Sequence, residues 1–142
     1  MKKGQIIRKK LTNGTPVGPY LKIIEFINKF EEQGVVVEEF YFAKNSKYTL
    51  SRKNVYELKT IKLVVSDEIV ERILNGRQSA IIHDISKKWC LENLTGAEIV
   101  YLRSYKYTNK FIICTVDSTS TVYYNKKPQV RLQLGHIIDH EY

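Results

Sequence analysis

The sequence predicts an α+β fold, a small antiparallel β-barrel accompanied by two or three short helices. Its length of 142 residues fits one compact domain, or a small domain with a sizeable extension. Many short segments rich in β-branched and aromatic residues are separated by turn-forming residues, which is typical of antiparallel sheets. Helical spacing is confined to a few segments, whereas a parallel βαβ sheet needs a helix between most of its strands.

The first 60 residues are predicted to form a basic N-terminal extension with a strand, a helix and a hairpin, packed on the barrel. Residues 5–11 alternate as a strand does, and the Asn, Gly and Pro residues of 13–19 predict a loop. Apolar residues with helical spacing predict an amphipathic helix over Tyr20–Phe30. Gly34 is at a position where a C-terminal cap in the left-handed backbone conformation is expected.

A hairpin and a second helix are predicted next. The segment VVVEEFYFA at 35–43, a turn at Lys44–Lys47 and a strand at 48–50 indicate the hairpin, and residues 55–65 again have strand character. A helix then begins at Ser66-Asp67, because either side chain can accept the free amide protons of its first turn. Glycine at position 76 ends this helix.

Residues 61–142 are predicted to form the barrel domain. After the helix, residues 79–82 are predicted to be a strand and residues 86–94 a short helix or turn. Further strands are predicted at 97–105, 110–118 (continued past a bend by 119–124) and 130–142, with a turn at 107–109 and a break at Lys126-Lys127-Pro128.

The positive charge indicates an anionic partner. The net charge is +8 at pH 7, and the first 60 residues hold 12 basic and 6 acidic residues, against 11 and 9 in residues 61–142. Five cations crowd the first ten positions, which predicts an arm that lies along phosphates and gains free energy from counterion release. The alternative is a solvated basic face that serves solubility only. These five are Lys2, Lys3, Arg8, Lys9 and Lys10.

Several function classes find no support in the sequence. No apolar run reaches the length of a membrane-spanning helix, and no apolar stretch follows the charged N-terminus as in a secretory signal, so a cytoplasmic protein without a membrane partner is expected. Cys90 and Cys114 are far apart, flanked by apolar residues and not part of a Cys/His cluster, which argues against a disulfide framework or a metal site. No cofactor-binding motif is present, and no cofactor is predicted.

Three segments between Ile61 and Val122 resemble the ASCH domains of the PUA-like superfamily, small barrels that handle RNA or modified nucleosides. The first is similar to the family's helix-then-strand signature with its Ile-Leu-x-Gly helix end, the second to its Gly-Asp-x-Val strand, and the third to a later Phe-x-Cys-x-Ile/Val-Glu-Val strand. They are IVERILNGRQSAIIHD (69–84), LTGAEIVYLRS (94–104) and FIICTVDSTSTVYY (111–124).

The resemblance implies a PUA-like, ASCH-type barrel with a ligand site at the turn after Gly76. There Arg77 can meet a phosphate, and Gln78 and Ser79 can hydrogen-bond a base edge, with His83 and Asp117 nearby. The simpler interpretation of this turn is a helix cap followed by solvated polar residues. Arg103 joins the candidate site from the strand 97–105, where cations alternate with tyrosines.

Departures from the family pattern argue against catalysis. Gln78 stands where the resembling N4-acetylcytidine amidohydrolases have a lysine, and an amide does not titrate near neutral pH. Ser79 and Ile81 each replace a threonine, His83 replaces the motif's arginine, and Asp117 replaces a glutamate. The prediction is therefore an RNA- or nucleotide-binding module without catalysis, and no catalytic residue is predicted.

Two alternatives from other classes stay open at this point. One is a small hydrolase of a modified nucleoside with a rearranged site, in which His83 is the base and Asp117 orients it. The other is a protein-interaction or regulatory module, which an exposed apolar patch would indicate. The tyrosines favour RNA modestly, because ten are present and several alternate with Lys or Arg, although Tyr is also common in strands.

Overall fold

The computed structural model describes residues 1–29, 32–40 and 47–141. The chain divides into two compact units, Met1–Leu58 and Lys59–Tyr142. Each unit is built on one five-stranded sheet, and two short α-helices belong to the second unit. The fold is therefore of the α+β class and consists mostly of strands.

The first unit is an antiparallel sheet whose strand order is β4-β3-β2-β1-β5. A 3-10 turn at Arg52–Asn54 leads the chain from the edge strand β4 to β5, which pairs with β1. The core of this sheet consists of the inward side chains of Ile7, Leu21, Ile23, Val35, Val37, Leu50 and Val55. The strands are β1 (Ile6–Lys10), β2 (Pro16–Lys29), β3 (Glu32–Glu39), β4 (Lys47–Ser51) and β5 (Val55–Glu57).

The helix predicted over Tyr20–Phe30 is wrong, because this segment belongs to β2, which begins at Pro16 within the predicted loop. Phe30 itself lies outside the described residues. The register with β3 pairs Ile23 with Val37 and Glu25 with Val36, so Ile24 is an extra residue in the ladder. Such a bulge interrupts the two-residue alternation of a strand. Leu21, Ile23 and Phe26 consequently pack inward, at spacings of two and then three residues that hide the regular alternation of a strand.

The predicted hairpin is formed by β3 and β4, which pair in antiparallel register from Gly34–Ser51 to Glu38–Lys47. The turn residues 44–46 of that prediction lie outside the described residues. The stretch of strand character at 55–65 is divided into two strands, since β5 ends at Glu57 and the next strand begins at Thr60.

The basic N-terminal segment is not a free arm from Ile6 onward. Residues 6–10 form β1, which lies between β2 and β5 in the sheet. Arg8 donates from Nε and Nη2 to the carbonyl of Gly18, at 3.0 and 2.9 Å, and its guanidinium lies 5.3 Å from the centre of the Tyr20 ring. One of the five clustered cations is thus engaged in holding β1 to β2.

The second unit has the strand order β6-β8-β9-β10-β7. Strands β6 and β8 are parallel, and every other neighbouring pair is antiparallel. The crossover from β6 to β8 therefore carries α1, the far-edge strand β7 and α2. The elements are β6 (Thr60–Val65), α1 (Asp67–Leu74), β7 (Ala80–Asp84), α2 (Leu91–Thr95), β8 (Ile99–Ser104), β9 (Phe111–Tyr124) and β10 (Lys127–Glu141).

The second unit does not close into the predicted barrel, which was expected to be closed or partly closed. Within the described part of the chain β6 and β7 are opposite edges of an open sheet, and no strand joins them. The apolar face of this sheet is instead covered by Val70 and Ile73 of α1 and Leu94 of α2, which belong to the same buried cluster as Leu102 and Leu132. Because helices cover this face, the sheet does not have to curl onto itself to bury it.

The first helix has the predicted ends. The hydroxyl of Ser66 accepts a hydrogen bond from the Ile69 amide at 3.4 Å, and Asp67 and Glu68 lie at the positive N-terminal end. Gly76 follows the helix with φ of +71°, a backbone conformation that glycine adopts without strain. The short helix or turn predicted at 86–94 corresponds to α2, which is displaced toward Thr95.

The last two strands form a long hairpin. β9 continues to Tyr124, as predicted, and the turn consists of Asn125 and Lys126. Lys127 and Pro128, which were predicted to lie in the break between two strands, are the first residues of β10. Proline is tolerated there because it is next to the turn, near the start of a strand.

Candidate functional site

A cavity of about 330 Å³ lies in the second unit where the turn after α1 meets β10. Its walls are apolar side chains of α1, β9 and β10, and its polar contributors are Gln78 and Ser79 of the turn. None of the lining residues is charged. They are Ile73, Leu74, Gly76, Gln78, Ser79, Cys114, Leu134, Gly135 and Ile137.

The turn is shaped by the end of α1. The backbone amides of Arg77 and Gln78 both donate to the carbonyl of Arg72, at 2.8 and 3.2 Å, and that of Gly76 donates to Ile73 at 3.1 Å. These bonds satisfy carbonyls that the helix end leaves open, and they reverse the chain at Gly76. The reversal directs the next residues toward β10.

Ser79 attaches this turn to β10. Its carbonyl accepts hydrogen bonds from the Leu134 amide at 2.8 Å and from Nε2 of Gln133 at 3.0 Å. Ser79 is exposed, and it therefore stands at the open side of the cavity. Its hydroxyl can both donate and accept a hydrogen bond.

Gln78 is half-buried and presents its amide to the same cavity. Its Nε2 donates to the carbonyl of Ala80 at 2.8 Å, which fixes the orientation of the amide group. The Oε1 atom accepts no hydrogen bond from the residues that the structure describes. A ligand in the cavity can therefore donate to this oxygen.

Two consecutive irregularities in the β9–β10 ladder form the opposite side of the site. Asp117 has no partner, because Ser118 pairs with Gln133 and Val116 with Leu134. Gly135 and His136 of β10 then lie opposite the single residue Thr115 of β9, since the next pair after Leu134 joins Ile137 to Cys114. Bulges of this kind turn side chains away from the regular alternation and are frequent beside functional sites.

Asp117 and Gly135 bring the two sides together. Gly135 lines the cavity, and a β-carbon on it would overlap Oδ1 of Asp117 and Oγ1 of Thr115. The Asp117 side chain thus lies against the backbone of the cavity wall, although the residue as a whole is exposed. Oγ1 of Thr115 also accepts a hydrogen bond of 3.0 Å from the His136 amide, which holds the bulge.

The other predicted site residues lie elsewhere or project outward. Arg77 is exposed beside the turn but is not part of the cavity wall. Arg103 pairs with Phe111 and Val64. This row is about 10 Å along the sheet from the row of Val100 and Cys114, and it is Cys114 that lines the cavity.

His83 is separated from Asp117. It pairs with Val130, which pairs with Thr121, four residues along β9 from Asp117. At about 3.3 Å per residue and 4.8 Å per strand the two residues are roughly 16 Å apart. The Nδ1 atom of His83 contacts its neighbour's carbonyl at 2.7 Å, and the ring meets Trp89 edge-on at 6.1 Å. The base-and-acid pair of the hydrolase alternative is not assembled.

Cys114 is buried in the cavity wall, where burial raises the pKa of its thiol from 9.0 to about 12. A thiol with so high a pKa is uncharged at neutral pH and is a poor nucleophile. Among the residues that the structure describes, no group of three or more His, Cys, Asp and Glu side chains is placed to hold a metal ion. The described residues also include no helix with the length and apolar character that crossing a membrane requires.

Most of the side of the site that β9 and β10 form was not predicted from the sequence. Gly135, Thr115 and Ile137 were not predicted, because their roles depend on the register between β9 and β10. One signal was present: Gly135 is an isolated glycine inside a segment of strand character, which indicates a bulge or a close backbone approach.

No protein-family model, curated protein or solved structure matches this chain. The resemblance of residues 61–122 to ASCH domains therefore stays a prediction from three short segments.

Proposed function

We propose that the second unit is a PUA-like, ASCH-type module that binds a nucleobase, as part of RNA or a nucleotide, without catalysing a reaction. The observation that carries the proposal is that Gln78, Ser79 and Gly135 line one cavity, beside Asp117. Gln78, Ser79 and Asp117 were named from the sequence alone, and the cavity adds a place where they can act together.

The size and polarity of the cavity suit an uncharged heterocycle. Its volume of about 330 Å³ is at the lower end of the usual range for small-molecule sites. Uncharged, mainly apolar walls favour the flat faces of a base over a phosphate group, whereas Oε1 of Gln78 and the Ser79 hydroxyl supply hydrogen bonds to its edge. Arg77 at the exposed side is then available to a phosphate of the same nucleotide.

The same geometry favours binding over catalysis. Gln78 cannot act as a base, the thiol of Cys114 is held in its neutral form, and His83 is roughly 16 Å from Asp117 by strand spacing. The Asp117 side chain lies against the cavity wall, and the described residues that line the cavity include no carboxylate, lysine or histidine that could act as its acid–base partner. Acid–base chemistry on a bound nucleoside usually needs such a partner.

The experiment is a ligand-observed NMR titration of the full chain with cytidine, uridine, adenosine, guanosine and N4-acetylcytidine. We expect saturable binding of at least one nucleoside, weakened about tenfold by Gln78→Ala, the scale of one lost hydrogen bond to a buried group. Gln129→Ala is the matched control, because Gln129 is also on this sheet but donates to Asp84, away from the cavity.

Two results would contradict the proposal. One is the absence of saturable binding for all five nucleosides in a folded protein. The other is binding that is equally strong in wild type, Gln78→Ala and a variant that blocks the cavity opening, Ser79→Phe.

A further inference from the structure

The end of the β9–β10 hairpin is here called the ribbon and consists of Ser118–Tyr124 of β9 and Lys127–Gln133 of β10, with β7 paired to its β10 side in all but the last two rows. Its rows run without interruption from Ser118 opposite Gln133 to Tyr124 opposite Lys127. On the β9 side no described strand flanks it, because β8 pairs with β9 only from Phe111 to Thr115. On the β10 side β7 ends at the row of Gln129, so the last two rows have no flanking strand among the described residues.

The ribbon carries charge of one sign. Between Asp117 and Asp139 the chain contains Lys126, Lys127 and Arg131 and no acidic residue. Lys126 is in the turn, Lys127 is in the last row and Arg131 is four residues further along β10. Lys126 and Lys127 thus lie at the unflanked tip, whereas Arg131 is half-buried and paired with Ile82 of β7. A segment with three cations and no carboxylate of its own favours an extended anionic partner.

Two aromatic rings are exposed at the tip. Tyr123 is 75% exposed and Tyr124 is 67% exposed. Consecutive strand residues point to opposite faces, so each face of the tip presents one ring. Tyr101 of the same unit is by contrast stacked on Phe111, at 5.0 Å between ring centres. Exposed rings beside cations are the surface on which unpaired bases stack while their phosphates meet Lys or Arg.

The turn keeps a cation at a strained position. Asn125 and Lys126 have φ of 48° and 64°, the left-handed pair of a type I′ hairpin turn. Asparagine suits the first position, but glycine is strongly preferred at the second, since a side chain is disfavoured in this region. A lysine at such a position is a backbone outlier, and an outlier of this kind points to a function for its side chain.

We propose that this ribbon binds single-stranded RNA, with Tyr123 and Tyr124 stacking on unpaired bases and Lys126, Lys127 and Arg131 contacting phosphates. Single strands are favoured over a duplex because bases in a duplex are already stacked and cannot lie on the rings. The choice of RNA as the partner rests on the proposed function. The evidence that the ribbon is a binding surface does not depend on the cavity. Seven residues of strand, about 23 Å, separate Asp117 beside the cavity from Tyr124 at the tip, so the two elements can be tested separately.

The first test is fluorescence anisotropy of a 5′-labelled twelve-nucleotide oligouridine with the full chain, between 50 and 200 mM salt. Replacing both Tyr123 and Tyr124 with alanine is expected to weaken binding about tenfold or more, the scale of losing base stacking. Tyr105→Ala is the matched control, because Tyr105 is 80% exposed but lies outside the ribbon.

The second test uses Lys126→Gly. Relief of the left-handed strain is expected to leave the melting temperature unchanged or higher, while the loss of one phosphate contact lowers the log–log salt slope by about 0.7. Lys87→Gly removes the same charge from an exposed loop position and is expected to leave the slope unchanged. Opposite effects on stability and affinity exclude a folding defect as the cause.

Four outcomes would overturn the proposal: no binding of the oligouridine by folded wild type, tighter binding of an RNA duplex, an equal loss in Tyr105→Ala, or an equal slope change in Lys87→Gly. Nucleoside binding in the cavity is expected to be unaffected by the ribbon variants. If Gln78→Ala and Ser79→Phe both leave nucleoside binding intact while the ribbon variants lose oligouridine, the cavity proposal fails and the ribbon proposal stands.

Discussion

The carboxylate of Asp117 lies against the α-carbon of Gly135, so that any side chain at position 135 would overlap it. The two residues are irregular positions of neighbouring strands, one unpaired in β9 and one within a bulge of β10. Their contact depends on glycine, because only a residue without a β-carbon leaves room for the acid. The wall of the cavity therefore depends on position 135, where the absence of a side chain is what matters.

Gly135→Ala is expected to lower the free energy of unfolding by about 1–3 kcal/mol, as overpacking of a filled site does. Urea denaturation measures the change. In a Thr115→Ala/Asp117→Ala background the same substitution is expected to cost clearly less, since both overlapping side chains have been removed. An identical cost in the two backgrounds would mean that the overlap is relieved by the backbone and not by these side chains.

Arg8→Lys is expected to destabilise the protein by about 1 kcal/mol, although the charge is kept. The guanidinium donates twice to the Gly18 carbonyl, and an ammonium group cannot reproduce that planar two-donor geometry. Thermal or urea unfolding is the measurement. The salt slope of RNA binding is expected to stay constant in this variant and in Arg8→Ala, and a flatter slope in Arg8→Ala alone would restore the arm interpretation of the N-terminal cations.

Incubation of the wild-type protein with N4-acetylcytidine is expected to yield no cytidine above the level of an Asp117→Ala control. Gln78 stands where the resembling amidohydrolases have lysine, and its amide has no titration near neutral pH. Chromatographic separation of cytidine from substrate is the measurement. Turnover above the control would assign a hydrolase activity and make Asp117 part of its machinery.

The stability of the protein is expected to fall above pH 9 in part because of Cys114. Burial raises the pKa of this thiol from 9.0 to about 12 in the folded protein. Between these values the unfolded chain loses a proton that the folded chain keeps, so ionisation favours unfolding by up to about 1.4 kcal/mol per pH unit.

Urea denaturation from pH 8 to 11 tests this linkage. Cys114→Ala is expected to show a shallower decline than wild type, while Cys90→Ala, whose cysteine is only partly buried, keeps the wild-type slope. Parallel curves for wild type and Cys114→Ala would show that the thiol is ionised equally in both states.

Local patterns predicted the elements that depend on local chemistry. The start of α1 at Ser66-Asp67 and its end near Gly76 follow from capping and from the left-handed preference of glycine. The predicted turn after this helix contains Gln78 and Ser79, both of which line the cavity. These features are encoded within a few residues of one another and can be read without knowledge of the rest of the fold.

Features that depend on pairing between distant segments were not predictable in the same way. The bulge at Ile24 shifts the inward side chains of β2, so the two-residue alternation that identifies a strand is interrupted. The position of Asp117 against Gly135 is set by two register shifts that no local pattern specifies. The open sheet replaced the predicted barrel because α1 and α2 cover its apolar face, a tertiary choice that strand propensity does not encode.

The tight turn at Asn125-Lys126 also allows the length of the hairpin to change without a change in the packing of the core. In the last two rows, Tyr123–Pro128 and Tyr124–Lys127, the strands pair only with each other among the described residues. Rows added or removed there in pairs keep every side chain on its original face, since the strand repeat is two residues. Engineered chains can therefore extend or retract this tip by about 7 Å at a time while the core keeps its packing.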